Sequence, residues 1–527
     1  MKNGMKNGIL KSLLRLLQNR NKAEAPPPVP AASPRGISSK LAANLQRFRA
    51  EFGNSSDLVT REMRFGGAEG PRIALVYLDG LTDMKALMQS LAGEAAPGVR
   101  ERKSARQWLD HLKQTAIAAG EIKEAGVWGD VVLAVLSGET AMFVDGCADV
   151  LTIGTQGGDR RNVEEPNTQS VIRGPREGFT ETLRTNTAMV RRKIRDVRVR
   201  TEAMRIGRVT QTDVAIMYVQ GLAADNILAE VHARLNRIDT DGILESGYIE
   251  EFIQDGKYSP FPTVFSTERP DTIAAGLLEG RVAVFVDGTP FVLLVPALFT
   301  QFYQAPEDYY QRADFSTLLR LLRFVCFMIA LLAPSVYIAV TTFHQELLPT
   351  PLLIGLAGQR EGVPFPAFIE AVMMEIMFEI LREGGVRMPK TIGQSVSIVG
   401  TLVIGQAAVE AGLVSPAMVI VVAITAISNF VIPAFNMAIS LRMLRFLFMA
   451  VAASFGLFGV VICLIGLVLH LCSLKSFGVP YLAPFAPLQL NDQKDSLFRL
   501  PAWMLRTRPR SLQDRNVYRQ PPKGKAP

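Results

Sequence analysis

The chain has little cysteine and little histidine. Cys147, Cys326, Cys463 and Cys472 are scattered through 527 residues with no CxxC pair, and three of them lie in or beside apolar stretches. That spacing argues against a disulfide framework and against a structural zinc site. His111, His232, His344 and His470 are equally dispersed. No HExxH, Walker loop, GxSxG or complete GxGxxG occurs, and GTQGGD (154–159) reads as a glycine-rich loop. No catalytic set converges in the soluble half, so the expectation is a non-enzyme without metal or cofactor.

Charge is missing regionally. The net charge is +8 and 48% of residues are hydrophobic, but up to about Arg312 the two kinds mix, whereas beyond it long stretches carry almost no charge. The basic cluster MVRRKIRDVRVR (189–200) has no aromatic platform beside it, which argues against nucleic acid and favours a solvated linker helix. The amphipathic stub GILKSLLRLLQNR (8–20) has Lys11 and Arg15 inside its apolar positions, so it lacks the uninterrupted apolar core of a secretory signal. APPPVPAASPRG (25–36) follows as a breaker-rich linker. The N-terminal domains are therefore expected in the cytoplasm.

What is present is a repeat. LSGETAMFVDGCADVL (136–151) returns as LEGRVAVFVDGTPFVL (278–293) without a gap. An apolar run, Asp-Gly and a second apolar run is the sequence form of a β-hairpin, with Asp145, Gly146, Asp287 and Gly288 in tight I′ turns. RIALVYLDGLTD (72–83) likewise resembles DVAIMYVQGLAAD (213–225). Two copies of one α/β unit account for both matches, each running from a strand through helix-prone segments such as 104–120 or 224–238 to the hairpin. Asp79 in the first copy stands where the second has Gln220, so the scaffold does not demand a carboxylate there.

A membrane-spanning helix needs about 20 mainly apolar residues. Stretches 321–343, 392–414, 416–439 and 446–472 qualify. FPAFIEAVMMEIMFEIL (365–381) is apolar but carries Glu370, Glu375 and Glu379, the last two on one helical face. Such a helix suits the interface, a re-entrant segment or the wall of a wet vestibule, and carboxylates at membrane depth are functional candidates. Arg312, Arg320 and Arg323 before the first span, and the basic tail after the last, favour both ends inside and hence four crossings. Four crossings place Arg382, Arg387, Lys390, Arg442 and Arg445 outside, against the same rule; four spans with a partial insertion at 365–381 is the arrangement expected. In the second span Val399, Val403, Gln406 and Glu410 share one face. Around an axis they would form apolar rings that gate by dewetting and polar rings that select cations; ordinary packing within one subunit is the alternative.

The expected organisation is a stub and linker (1–50), a first α/β subdomain (51–173), a connector (174–210), a second α/β subdomain (211–312), a helical membrane domain (313–475) and a basic cytoplasmic tail (476–527). The fold class is thus a duplicated α/β region followed by an all-α polytopic membrane domain.

Six long motifs carry a family resemblance: GPREGFTETLRTN (174–186), STERPD (266–271), LEGRVAVFVDGTPFVLLVP (278–296), EDYYQR (307–312), VRMPKTIGQSVSIVGTLVIGQAAVEAGLVSP (386–416) and SFGVPYLAPFAP (476–487). Through them the chain resembles the A subunit of GerA-type spore germinant receptors over roughly 52–509. The resemblance implies two related cytoplasmic subdomains and a membrane domain. It implies a ring-shaped oligomer of pentameric type, acting as a nutrient-gated channel for monovalent cations in the spore inner membrane. A transporter-like B subunit, a lipoprotein C subunit and membrane lipid are the implied partners. The stage V sporulation AF-type paralogue, which would amplify ion release, fits the same motifs. Arg173, Arg176 and Glu177, in and beside GPREGF between the copies, are the candidates for contact between subdomains or subunits.

Overall fold

The computed structural model describes residues 36–65, 70–93, 104–116, 121–157, 165–166, 168–169, 171–387, 405–490, 492–512 and 518–520. The first unit contains α1 (Leu41–Phe52), β1 (Leu58–Arg64), β2 (Arg72–Leu78), α2 (Lys85–Gly93), α3 (Ala105–His111), β3 (Ile122–Ala125), α4 (Trp128–Leu136), β4 (Thr140–Val144) and β5 (Val150–Ile153). Its strands pair in the order β1-β2-β4-β5-β3. The second unit repeats this with α5 (Leu183–Lys193), β6 (Val199–Ile206), β7 (Thr212–Val219), α6 (Asp225–Leu235), α7 (Ser246–Ile253), β8 (Phe265–Thr267), α8 (Pro270–Leu278), β9 (Val282–Val286) and β10 (Val292–Val295). Its order, β6-β7-β9-β10-β8, is the same topology, and every neighbouring pair in both sheets is antiparallel.

Helices cover both faces of each sheet. In the first unit α1 and α4 pack on one face and α2 and α3 on the other. The strands between two helical layers are therefore buried on both sides, which is why TAMFV and VAVFV read as continuous apolar runs instead of alternating. α1 buries Leu41, Leu45, Phe48 and Phe52, one face at helical spacing, against Trp128 and Phe143.

Three expected boundaries are corrected. Residues 37–50 belong to the first core and not to a linker, because α1 supplies one of its layers. Segment 174–210 is not a connector: it holds α5 and β6, and β6 pairs with β7 along its whole length. The segment after Ser473 packs back, since Phe477, Val479, Ala483 and Leu512 are buried against the second unit.

The repeated Asp-Gly also differs from a two-residue I′ turn. Only the glycines have positive φ, +90° at Gly146 and +89° at Gly288, and residues 145–149 separate β4 from β5. The spare length lets the aspartate reach back. Asp145 Oδ1 accepts from the Leu41 N–H at 3.1 Å, and Asp287 Oδ1 from the Leu183 N–H at 2.9 Å, each 104 residues away. Each carboxylate thus satisfies a free N–H at the start of its unit's first helix and complements the helix dipole. Asn44 and Asn186 bridge back to Ser38 and Thr180 in the same way.

Beyond the second unit come α9 (Glu307–Tyr310), α10 (Ala313–Thr342), α11 (Thr350–Arg360), α12 (Ala367–Arg387), α13 (Pro416–Phe430) and α14 (Phe435–Ser473). α10 and α14 are long and apolar enough to cross a membrane. α14 is broken at Gly456, whose φ of +61° and ψ of −150° lie outside the helical region. The break reverses the chain: a side chain at Gly459 would meet Val451, and Ser440 and His470, one on each arm, both bond the loop at Ser259 and Pro260. The stretch 446–472 is therefore not one span but parts of two antiparallel arms. The stretch 416–439 is not one helix either, since α13 ends at Phe430 and Pro433 precedes the next start.

Contacts along the helices fix their directions. α10 begins beside Asp308 and ends against Gly456. α12 runs antiparallel to it, with Glu370 near the Ser415 that Tyr337 also reaches, and Glu375 near the Arg445 that bonds the Ala330 carbonyl. α12, 21 residues long against 30 for α10, packs its apolar side chains into the bundle between Ala367 and Met374 and reaches it further along through the Glu375 and Glu379 ion pairs. α13 ends beside the second unit, and the α14 arms go out and return. The chain thus enters and leaves the bundle on the α/β side.

Candidate functional site

The two units meet through a buried ion pair. Arg191 on α5, 2% exposed, donates from Nε to Asp57 Oδ2 at 2.7 Å and from Nη2 to Asp57 Oδ1 and Ser55 Oγ, both at 2.9 Å. The Thr201 N–H closes the set on Ser55 Oγ. MVRRKIRDVRVR is therefore no solvated linker helix; its first arginine, Arg191, is the joint. The expected assembly residues lie elsewhere. Arg173 is exposed, Arg176 pairs with Glu165 at 3.1 Å, and Glu177 pairs with Lys193 at 3.1 Å.

GPREGF is instead fastened to STERPD. The Phe179 N–H donates to the Glu268 carbonyl, and fully buried Arg269 donates to the Pro175 carbonyl and pairs with Asp271 at 2.8 Å. The Tyr310 hydroxyl donates to Asp271 Oδ2 at 2.6 Å, so burial and that carboxylate together hold the phenol well above its usual range. Three motifs far apart in sequence thus form one polar cluster where the second unit meets the helices. Beside it lies a cavity of about 590 Å³, lined by Asp271, Tyr310, Leu294, Arg281 and, from the helices, Phe430 and Pro433.

A second cluster ties α10 to the α/β region. Asp308 is 1% exposed and accepts from Arg320 Nε at 2.9 Å and Arg323 Nη1 at 2.8 Å, while Arg320 also pairs with Asp495 at 3.0 Å. Burial pushes the Asp495 carboxyl above the usual range against the lowering pull of Arg320. Arg320 and Arg323 of the basic flank are thus internal partners, whereas Arg312 stays exposed beside Asp314. The folded tail adds Asp495, which it brings back beside Arg320.

Within the bundle each candidate carboxylate has a cationic partner. Glu370 is buried, 3.3 Å from Arg360 and hydrogen-bonded by Ser415. Glu375 pairs with Arg445 at 2.6 Å, and Glu379 with Arg442 at 3.0 Å and with Arg382. Sequence reasoning missed Arg442 and Arg445 as partners; three apart on an apolar helix, they complement two glutamates four apart on another. Gln406 and Glu410 lie on a helical stretch at 405–410, both exposed, with Gln406 Nε2 donating to Glu410 Oε1 at 2.8 Å. Val399 and Val403 lie outside the described residues. Among the described residues no group of three His, Cys, Asp or Glu side chains could hold a metal ion.

Comparison with known proteins agrees with the motifs. The family described as Bacillus/Clostridium GerA spore germination protein matches residues 46–511. Spore germination protein KA of Bacillus subtilis strain 168 is 48% identical over 92% of this chain and 89% of its own length. Spore germination protein GerLA of Bacillus cereus is 39% identical over 90% and 96%. A crystal structure of the N-terminal domain of the A subunit of the Bacillus megaterium spore germinant receptor GerK3 is 38% identical, covering 51% of this chain and 98% of that one at a TM-score of 0.41. The family match spans both α/β units, the helical bundle and most of the returning tail, and by it the chain belongs to the GerA family of spore germination proteins.

Proposed function

We propose that this chain is the A-type subunit of a spore germinant receptor, and that copies of it form a ring whose centre conducts monovalent cations across the spore inner membrane. The observation that carries the reading is the Gln406–Glu410 pair: two polar side chains at the end of a largely uncharged stretch, exposed and bonded to each other instead of to their own bundle. In a ring such side chains line the axis, and an acidic ring selects cations. Val403 and Val399, three and seven positions before Gln406 in the sequence, are the proposed apolar gate. The Asp308–Arg320–Arg323 cluster is the proposed coupling between the second α/β unit and the first apolar helix, because two arginines of α10 share one carboxylate on α9, which Tyr310 fastens to Asp271 of that unit. A transporter-like B subunit would sense the nutrient, with a lipoprotein C subunit completing the complex and the α/β units on the cytoplasmic side.

The test is potassium release from spores lacking the gene, followed in time after nutrient mixtures are added. Loss of the earliest release for one nutrient class is the expected result. Early release that survives but spreads slowly would instead indicate an amplifying role, and normal release would remove the reading. A narrower test concerns the gate: Val403→Ala should leak cations without a nutrient, because a smaller apolar ring wets more easily.

A further inference from the structure

The loop after α7 sits at the end of the bundle nearest the second α/β unit, across the two arms of α14. Ser259 Oγ lies 2.8 Å from His470 Nε2 on the returning arm of α14, Ser440 on the outgoing arm bonds the Pro260 carbonyl, and Gly256 packs against Leu474. Between these anchors Tyr258 is wholly exposed, at 101% of its reference area. Phe252 on the last turn of α7 is 49% exposed and Tyr248, one turn earlier, 46%. Large aromatics in a soluble unit are ordinarily covered, and grouped exposed ones mark a surface that meets something else.

We propose that α7 and this loop lie on the membrane surface, so that the second α/β unit is held against lipid headgroups by its own aromatic side chains. This rests on the reading that the bundle spans a bilayer. Continuity names the occupant. The arms that the loop caps expose Met443, Leu447, Ile465, Val468 and Leu469, an apolar belt that descends to the loop. Tyrosine, with an apolar ring and a polar hydroxyl, is the side chain suited to the level where that belt meets water. Charge fits as well: Lys257 and Lys475 are exposed at the same rim, while Asp255 is occupied by Arg234 and the Phe477 N–H, leaving Glu251 as the exposed carboxylate there. Two lysines beside exposed aromatics favour an anionic leaflet.

The experiment uses the full chain in vesicles of phosphatidylcholine and phosphatidylglycerol carrying bromine at shallow or deep acyl positions. Tyr258→Trp, Phe252→Trp and Ile465→Trp are compared after subtracting the emission of the native tryptophans. The expected result is loss of Tyr258→Trp and Phe252→Trp emission with shallow bromines and little loss with deep ones, while Ile465→Trp is quenched by deep bromines. Quenching of Ile465→Trp with neither rim tryptophan affected overturns the proposal and leaves the bundle in the bilayer. Rim tryptophans that are blue-shifted yet unquenched would show that another copy of the chain covers the loop, which also overturns it. No quenching at any of the three positions removes the bilayer reading itself, and the proposal with it.

Discussion

The two α/β units share topology, helix caps and core composition, yet they are attached to the molecule differently. In the first unit the layers on either face of the sheet are built almost wholly from its own residues, with Ala188 and Val197 of the second unit joining the core under α1 and α4. In the second, the face under α5 and α8 continues without a break through Phe299 and Phe327 into the helical bundle, while the opposite face receives the returning tail. The first unit hangs on the second by a buried ion pair and a small apolar contact at Ala188; the second shares a continuous core with the helices. Duplication supplied two equal parts, and burial of different surfaces made one a foundation and the other an appendage. Buried ion pairs suit joints, since they resist sliding and fail sharply when one partner goes.

The contrast can be broken at its joints first. Asp308→Asn leaves Arg320 and Arg323 without their shared carboxylate, and should cost about 3–5 kcal/mol with loss of cooperative thermal unfolding between the second unit and the bundle. Arg191→Met should cost a similar or smaller amount, about 3 kcal/mol, by stranding Asp57; limited proteolysis should then release the first unit while the rest stays protected. A cooperative, protease-resistant Arg191→Met chain would mean that the units are fused as firmly as the second is to the helices.

A pH dependence belongs to the second unit. Burial, with Glu245 adding to it, pushes the Glu250 carboxyl on α7 up to about 7 from an ordinary 4.5. Between those values folded Glu250 keeps a proton that the unfolded chain has released. Stability is therefore full below about pH 4.5, falls as the pH rises, and levels off above about pH 7, a loss of about 3 kcal/mol at most. Denaturant midpoints across that window should slope downward, and Glu250→Gln should flatten them.

Sameness is tested by the caps. Asp145→Ala and Asp287→Ala each remove a helix-start acceptor, and each should cost about 1 kcal/mol; unequal losses would show that the copies no longer use the motif alike. The smallest effect on folding is expected for Glu410→Gln, which is exposed, with no measurable change in unfolding temperature but reduced cation preference in flux assays.

Periodicity and repetition made the fold class legible. FVDG recurs because each copy needs a buried strand, a glycine at positive φ and an aspartate free to reach a helix start, and those demands act within a unit. The apolar stretches announced helices for the same local reason. What the sequence concealed is what one segment does for another. Arg191 read as part of a basic linker because its partner, Asp57, lies in the other copy. Asp495 read as tail until the chain folded back onto Arg320, and Gly456 was one small residue among many until its backbone turned one apparent span into two arms. A sequence by itself determines which residues cannot remain in water and with what spacing they recur. Which buried charge meets which, and which way a helix runs, is decided only when distant segments compete for the same buried surface, since the free energy of those choices resides in contacts that no single stretch contains.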